Sequence, residues 1–157
     1  MSTDPTPRPL PALLTQVKEL AIDKMRARLA EEGYDDIREG YGCVFGFIDI
    51  DHGSRVTDLA ERSGLTKQAV SEVIPELEQL GYATREPDPG DKRAKIVKLT
   101  PKGRAACLTG RRLFAEIEAE WAERFGEELL AALREAAEQI AAAERAEPAQ
   151  AGTAPRM

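Results

Sequence analysis

One stretch decides the fold, and it runs from Arg55 to Gly103: RVTDLAERSGLTKQAVSEVIPELEQLGYATREPDPGDKRAKIVKLTPKG. Thr57 is a residue type that begins helices, and Gly64 stands where a short first helix would end. Thr66 can cap a second helix, in which apolar residues recur at spacings of three and four: Val70, Val73, Leu77 and Leu80. Two helices joined by a short turn that contains glycine are typical of a helix-turn-helix.

The residues after the second helix predict a β-hairpin. Tyr82 to Glu86 is rich in strand-forming residue types, and Lys95 to Leu99 is a second strand candidate. Between them, the prolines and the glycine of residues 87–91 predict a loop, with Lys92 and Arg93 at the tip of the hairpin. A helix-turn-helix that is followed by a basic hairpin is a winged helix.

The wing sequence carries a specific resemblance. The run from Asp91 to Gly103 reads DKRAKIVKLTPKG and matches the signature D-x-R, five residues, L-T-x-x-G. It is similar to the wing of the MarR family of bacterial transcriptional regulators. Leu59-Ala60-Glu61, Leu77-Glu78 and Gly81-Tyr82 also fall where that family has its L-A-E, L-E and G-aromatic residues. The resemblance is strongest over residues 55–103.

Helical patterns bracket the winged segment on both sides. An N-terminal helix from Leu10 to about Gly33 has the stripe Leu14, Val17, Ala21, Met25 and Leu29. A second helix from Asp35 or Asp36 would align Ile37, Tyr41, Val44, Phe45 and Ile48, although each of its three glycines costs about 1 kcal/mol against alanine. Asp49 to Ser54 is predicted to be a loop. After the wing, helices are predicted from Pro101 to about Phe125 and from Glu127 to about Glu144, separated by Gly126.

These patterns divide the chain into a disordered tail (residues 1–9), N-terminal helices (10–54), a winged helix-turn-helix lobe (55–103), C-terminal helices (104–145) and a second disordered tail (146–157). The resemblance implies a mainly α fold with a small β-hairpin wing, whose terminal helices interlock in a two-fold homodimer. It also implies a repressor that binds double-stranded DNA and is released by a small ligand or an oxidant. A palindromic operator would mirror the two-fold symmetry, with half-sites roughly 34 Å apart.

The net charge of −6 counts against a nucleic-acid partner only if the charge is spread evenly. Residues 1–54 carry a net charge of −4, residues 55–112 of +4 and residues 113–157 of −6. The positive charge therefore coincides with the winged segment, where phosphates would be met. We expect the acidic ends to face a partner subunit instead.

Other features exclude several classes of protein. No apolar run is long enough to span a membrane. The polar N-terminus lacks the apolar core of a signal peptide, which predicts a cytoplasmic protein. Two cysteines are too few for a disulfide framework and lack the spacing of a metal site. Because there is no nucleophile–base pair, metal cluster or phosphate loop, we expect neither an enzyme nor a cofactor.

Eight residues are candidate DNA contacts. Gln68 can recognise adenine with two hydrogen bonds, and Lys67 can recognise guanine or bind phosphate. The resemblance places Arg93 at the minor groove, and Asp91, on the same side of an extended chain, is expected to orient its guanidinium. The candidates are Thr66, Lys67, Gln68 and Ser71 in the second helix, and Asp91, Lys92, Arg93 and Lys95 in the wing.

Two residues depart from the family pattern. Many members carry a basic residue where Glu72 stands, and a carboxylate there would repel phosphate, although it could accept from cytosine N4. Pro75 removes a hydrogen bond inside the second helix and should kink it. Glu72 also supports an alternative function, a winged helix that binds proteins without sequence-specific DNA binding. A steep salt dependence of duplex binding would separate the two.

The resemblance also implies an effector pocket between the lobes, lined by Arg38, Tyr41 and Trp121, although core packing explains the two aromatic residues equally well. Cys43 and Cys107 both lie in predicted helices, where a buried, unreactive thiol is favoured over an oxidant sensor. His52 is the only histidine. Its acidic neighbours suggest a metal site only faintly, and a loop histidine is favoured.

Overall fold

The computed structural model describes residues 7–146, apart from the side chain of Cys43. The prediction of a mainly α fold with a small β wing is confirmed. The predicted tails fall largely on residues 1–6 and 147–157, outside the described residues. The elements are α1 (Leu10–Glu31), α2 (Gly42–Phe45), β1 (Ser54–Arg55), α3 (Val56–Ser63), α4 (Lys67–Gln79), β2 (Ala83–Asp88), β3 (Asp91–Leu99), α5 (Pro101–Phe125) and α6 (Glu127–Ala146).

The chain divides into two compact units, and the boundary lies within α5, between Ala115 and Glu116. The first unit contains α1 to α4, the sheet and the first part of α5. The second unit contains the end of α5 and all of α6. Among the described residues, no helix is both long and apolar enough to cross a membrane.

The helix-turn-helix consists of α3 and α4. Gly64 ends α3 in the left-handed conformation, with φ of 72°, and the Thr66 side chain accepts a hydrogen bond from the backbone N–H of Ala69 at 3.1 Å. Both features were predicted. Thr57 was wrongly predicted as the first cap, since α3 begins at Val56 and is preceded by Arg55. The face of α4 that is buried in the core consists of Val70, Ile74 and Leu77, whereas Val73 and Leu80 are only partly buried.

The wing is longer than the sequence predicted. The sheet has the order β1-β3-β2, and β2 and β3 pair antiparallel from Ala83↔Leu99 to Pro87↔Lys95. The register shifts between Pro87 and Asp88, where Asp88 pairs with Asp91, so Lys92, Arg93 and Ala94 of β3 have no partner residue in β2. Residues 87–91 were therefore wrongly predicted to be a loop, because only Pro89 and Gly90 lie between the strands. Pro87 is tolerated because β2 is an edge strand, where a missing N–H costs no ladder bond. Lys92 and Arg93 consequently lie in β3, next to the turn.

The third strand, β1, was missed. Ser54 pairs with Val97 and Arg55 with Ile96, so the last residue of the predicted loop and the first residue of the winged lobe complete the sheet. Gly53 precedes them with φ of +74°, and a Cβ there would lie 2.6 Å from the Val97 carbonyl oxygen. A strand of two residues is too short to leave a periodic signal, whereas this close approach requires glycine.

The sequence predicted one continuous helix over residues 35–48, and this prediction is wrong. Only α2, Gly42–Phe45, is helical there, and Gly40 has a left-handed φ of 90°. The apolar residues of the pattern are nevertheless all buried, namely Ile37, Tyr41, Val44, Phe45 and Ile48. The pattern therefore indicated burial correctly, while the glycines allowed the chain to turn instead of forming a helix.

A tight junction joins the wing to α5. The Thr100 hydroxyl accepts from the Gly103 N–H at 3.0 Å and donates to the Gly81 carbonyl at 2.5 Å. A Cβ on Gly103 would lie 1.9 Å from the Tyr82 carbonyl oxygen. The L-T-x-x-G part of the wing signature is thus required by packing, since it caps α5 and allows α5 to approach the start of β2.

Tyr82 is fully buried, and its hydroxyl donates a hydrogen bond to Asp36. Burial, followed by this hydrogen bond, raises the pKa of Tyr82. Lys102 lies 4.1 Å from the centre of the tyrosine ring and 3.4 Å from the Asp36 carboxylate. These contacts fix the segment after α1 to the base of the wing.

The predicted bounds of α1, α5 and α6 are confirmed to within a few residues. Of the stripe predicted for α1, Leu29 is buried, whereas Leu14 and Val17 are exposed. The exposed large apolar residues of α1 are Leu10, Leu13, Leu14, Val17 and Leu20, and those of α6 are Leu129, Leu133 and Ile140.

Candidate nucleic-acid interface

The first part of the candidate interface is the outer face of α4. Lys67, Gln68 and Ser71 are all exposed, because Val70, Ile74 and Leu77 occupy the opposite, buried face. Thr66 lies at the N-terminal end of the same face. Its oxygen accepts the capping hydrogen bond, which leaves its O–H free to donate to a phosphate. The four predicted residues are therefore together at the beginning of α4, where backbone N–H groups also favour an anion.

Glu72 lies one helical turn after Gln68 on this face. The Gln68 side-chain Nε2 donates to Glu72 Oε1 at 3.3 Å, and both side chains are exposed. This pair was not predicted, although the i,i+4 spacing is a signal that could have found it. A negative charge therefore lies within the surface that would face phosphates.

The second part of the interface is the start of β3. Lys92, Arg93 and Lys95 are exposed. Within residues 7–146, none of these three side chains, nor that of Lys67, forms an ion pair or a hydrogen bond with another residue. Four cations on two elements of the winged lobe therefore keep their charge available for an outside partner.

Asp91 has a different role from the one predicted. Its carboxylate accepts a hydrogen bond from the backbone N–H of Arg93 at 2.9 Å, and no contact with the Arg93 guanidinium is present among the described residues. The expected orientation of the guanidinium by Asp91 is therefore wrong for this structure. Asp91 instead fixes the backbone from which Arg93 projects.

The turn of the wing is held by Asp88, which the sequence did not single out. Its side chain is 6% exposed, accepts from the Gly90 N–H at 2.8 Å and forms an ion pair with Arg55 of β1. The Gly90 hydrogen bond and, next, Arg55 keep the pKa of Asp88 below its usual value. An aspartate two residues before a turn glycine is the signal that could have indicated this contact.

Most other basic residues of the lobe and of the start of α5 are paired with carboxylates, whereas Arg62 donates a hydrogen bond to the Phe47 carbonyl oxygen at 3.5 Å. Arg85 lies 2.5 Å from Glu78, Lys98 lies 2.7 Å from Glu86, and Arg104 lies 2.7 Å from Asp51. Together with the pairs of Arg55 and Lys102, these contacts join strands to helices and to the segment before β1. Within the described residues, the basic residues of 55–112 therefore include one set that is held by carboxylates and one set that is not, namely Lys67, Lys92, Arg93 and Lys95.

Two of the three predicted effector-site residues line one cleft. Arg38 and Tyr41 border a cavity of about 470 Å³, together with Gln79 and Leu80 at the end of α4. Trp121 lies in the second unit and is half-buried. The cleft therefore adjoins the C-terminal end of the helix whose beginning carries the candidate DNA contacts.

The cysteine and histidine positions offer little chemistry. Cys107 is buried, its thiol lies 3.6 Å from the Phe45 carbonyl oxygen, and burial raises its pKa to about 11, as expected for an unreactive thiol. The side chain of Cys43 lies outside the described residues. His52 Nδ1 lies 3.3 Å from Asp49, and the described part of the chain contains no cluster of three or more potential metal ligands.

Comparison with known proteins agrees with the family resemblance of the helix-turn-helix. The model of the MarR family matches residues 41–94. The fold is similar to that of the transcriptional regulator PA4135, with 25% identity, a TM-score of 0.71 and coverage of 90% of this chain and 100% of that one. A comparison with curated proteins gives no match.

Two structures of the same repressor are also similar. CouR bound to a 23-mer DNA duplex has 22% identity and a TM-score of 0.72, and the match covers 90% of this chain and 98% of that one. CouR from Rhodococcus jostii RHA1 bound to p-coumaroyl-CoA has 22% identity and a TM-score of 0.66, with coverage of 82% and 89%. At these identities the likeness establishes the fold.

Proposed function

We propose that this chain is a transcriptional regulator of the MarR family, a cytoplasmic repressor that binds a palindromic operator as a homodimer. The observation that carries this proposal is a set of four exposed cations, at the start of α4 and in the wing, that have no partner within residues 7–146. Cations that no carboxylate neutralises are available to phosphates, and phosphate contacts supply much of the affinity for DNA. The similar fold of CouR on a DNA duplex supports the same use of this lobe.

The two parts of the interface would meet different grooves. The beginning of α4 would enter the major groove, where Gln68 and Lys67 can contact base edges and Ser71 and Thr66 can contact phosphates. Arg93 would reach the minor groove, and Lys92 and Lys95 would contact the backbone. Asp91 would act indirectly, through the backbone of Arg93.

The terminal helices supply the argument for a homodimer. Five large apolar residues of α1 and three of α6 are exposed, and rows of exposed apolar residues mark interaction surfaces. A second copy of this chain would bury them. Light scattering at micromolar concentration should return twice the chain mass of 17.2 kDa. A mass of one chain would contradict the dimer, and removal of residues 114–157 should leave a poorly soluble or unfolded monomer.

Release by a ligand would use the cleft beside Arg38 and Tyr41. The cleft is lined by one cation, Arg38, whose side chain has no ion partner within the described residues, and by the three carboxylates of Asp35, Asp36 and Glu76. The charge of the lining therefore does not select an anionic ligand. A ligand that binds the free form more tightly than the DNA-bound form would shift the population away from DNA. The similar fold of CouR in complex with p-coumaroyl-CoA supports a search for a small-molecule effector.

The test is selection of duplexes bound by the full chain from random DNA, followed by binding isotherms at several salt concentrations. We expect a palindrome and a steep fall of affinity with salt. Glu72 on the exposed face of α4 favours one alternative, a winged helix that binds proteins. That alternative would give no enriched sequence and a shallow salt dependence.

A further inference from the structure

The hydrogen bond between Gln68 and Glu72 fixes which end of the glutamine amide points along the helix. Gln68 Nε2 lies 3.3 Å from Glu72 Oε1. An ionised carboxylate only accepts hydrogen bonds, so it attracts the NH₂ end of the amide and repels the carbonyl end. The Gln68 carbonyl oxygen and the second N–H of its Nε2 are therefore turned away from Glu72.

We propose that Glu72 is a positioning residue that sets the base preference of Gln68, an inference that rests on the proposed function. Adenine presents an N6 donor beside an N7 acceptor in the major groove. A fixed amide with one outward acceptor and one outward donor matches that pair. Guanine presents two acceptors, O6 and N7, so the fixed carbonyl oxygen would face O6 and repel it.

A glutamine without Glu72 would discriminate less. Its amide could rotate about the last side-chain bond and turn its donors toward guanine, or its acceptor toward cytosine N4. The carboxylate removes these alternatives by making one orientation preferable. Discrimination of this kind depends on penalising the wrong partner as much as on attracting the right one.

The cost of Glu72 falls on affinity for every sequence. Its carboxylate is exposed beside Gln68, and in the described part of the chain no lysine or arginine pairs with it. Lys67, which lies near the beginning of the same helix, also has no carboxylate partner there. The negative charge would therefore repel phosphates on any duplex, and its benefit is confined to the base opposite Gln68.

The test uses the full chain and the duplex selected by the unaltered protein. Each adenine is replaced in turn by guanine, which changes the pair, or by 7-deazaadenine, which removes only the N7 acceptor. The variants are Glu72→Gln, Gln68→Ala and the double variant. Glu61→Gln is the matched control, because it removes one exposed negative charge from α3 without a contact to Gln68.

At one adenine position, Glu72→Gln should reduce the preference for adenine over guanine by roughly 10-fold, within the range for a bidentate contact. It should also raise affinity for random duplexes several-fold. Glu61→Gln should leave the preference unchanged. In the Gln68→Ala background, Glu72→Gln should change overall affinity and leave the preference as it is, because the two residues act through one contact.

Three results would overturn the inference. The preference for adenine could survive Glu72→Gln, or it could fall equally with Glu61→Gln, or Glu72→Gln could change it even without Gln68. Loss of duplex binding by the unaltered protein is a separate outcome, which removes the proposed function and this inference with it. Thermal unfolding of each variant checks that the exposed substitutions leave the fold intact.

Discussion

Most basic residues of the winged lobe and of the start of α5 have one of two environments. Arg55, Arg85, Lys98, Lys102 and Arg104 each lie against a carboxylate. Lys67, Lys92, Arg93 and Lys95 have no such partner within the described residues. The two sets alternate along the same segment and are equally basic in sequence. The comparison teaches that the partner of a cation, and not its presence, separates the residues that hold this lobe together from those that can bind DNA.

The paired set links elements to one another. Arg55 connects β1 to the turn of the wing, and Arg85 connects β2 to α4. The pairs other than Arg55–Asp88 are exposed or partly exposed. Surface ion pairs contribute only about 0–1 kcal/mol each, so their main effect is on the relative placement of the elements. The unpaired set lies at the beginning of α4 and within the first five residues of β3.

The largest effect, a loss of stability, is expected at the junction between the wing and α5. Gly103→Ala would put a methyl group 1.9 Å from the Tyr82 carbonyl oxygen, and the free energy of unfolding should fall by about 3 kcal/mol. Gly110→Ala is the matched control. Its Cβ would meet only the Met25 sulfur, at 3.8 Å, and alanine favours the helix, so stability should rise slightly. Urea unfolding at one protein concentration measures both, and equal stabilities would contradict the packing argument.

Gln68→Ala should have the next largest effect, a loss of affinity that is confined to the operator. Loss of a bidentate base contact should cost roughly 1–3 kcal/mol on the preferred duplex and little on random DNA. Parallel isotherms on the two duplexes measure the difference. An equal loss on both would place Gln68 with the phosphate-binding residues instead.

Arg93→Ala tests the unpaired set directly against the paired set. It should weaken binding to all duplexes and lower the salt slope by about one ion, with a change of preference only at narrow A·T-rich minor grooves. Asp91→Ala should resemble it mildly, because Asp91 holds the Arg93 backbone. Arg85→Ala is the control from the paired set and should leave the slope nearly unchanged. If Arg93→Ala leaves affinity for both duplexes unchanged, the wing does not touch DNA.

Asp88, which is paired with Arg55, should make the stability of the folded protein depend slightly on pH. Because its pKa is lowered in the folded protein, its contribution to stability is present above its unfolded pKa, near 4, and is lost as the pH falls through the folded pKa. Asp88→Asn should therefore flatten the loss of stability on acidification. Unfolding midpoints measured from pH 6 down to pH 2.5 test this, and identical curves for both proteins would exclude the contribution.

The smallest effect is expected from mild peroxide. The buried Cys107 thiol, with a pKa raised to about 11, is a poor target, and we expect DNA binding to be unchanged. Reversible release that disappears in Cys43→Ser would show instead that Cys43 senses oxidants. Cys107→Ser serves as the control in the same assay.

Local signals predicted the helices well. Thr100 and Pro101 begin α5 and Gly126 follows its end, and these residue types act within one turn of where they stand. The face of α4 that carries Lys67 and Gln68 also followed from its apolar spacing. The helix predicted for the segment that contains α2 was wrong, because buried residues at helical spacing do not require a helix when glycines permit turns.

Long-range contacts were beyond prediction from the residues alone. The pair of Arg55 with Asp88 joins residues that are distant in sequence and adjacent only once the sheet has formed. The same holds for Lys102 with Asp36. Nothing in a single residue type distinguishes Arg85, which is paired, from Arg93, which is not, so the separation of the two sets needed the fold.

The shortness of β1 matters for the free protein as well. β1 pairs with Ile96 and Val97, so in the described structure no strand lies beside the outer edge of β3 from Asp91 to Lys95. An open strand edge is a template on which other chains can add and aggregate. Lys92, Arg93 and Lys95 carry like charges along this edge, and two wings could pair there only by bringing these cations together. In the absence of DNA, the same charges should therefore keep the protein soluble by preventing its wings from joining edge to edge.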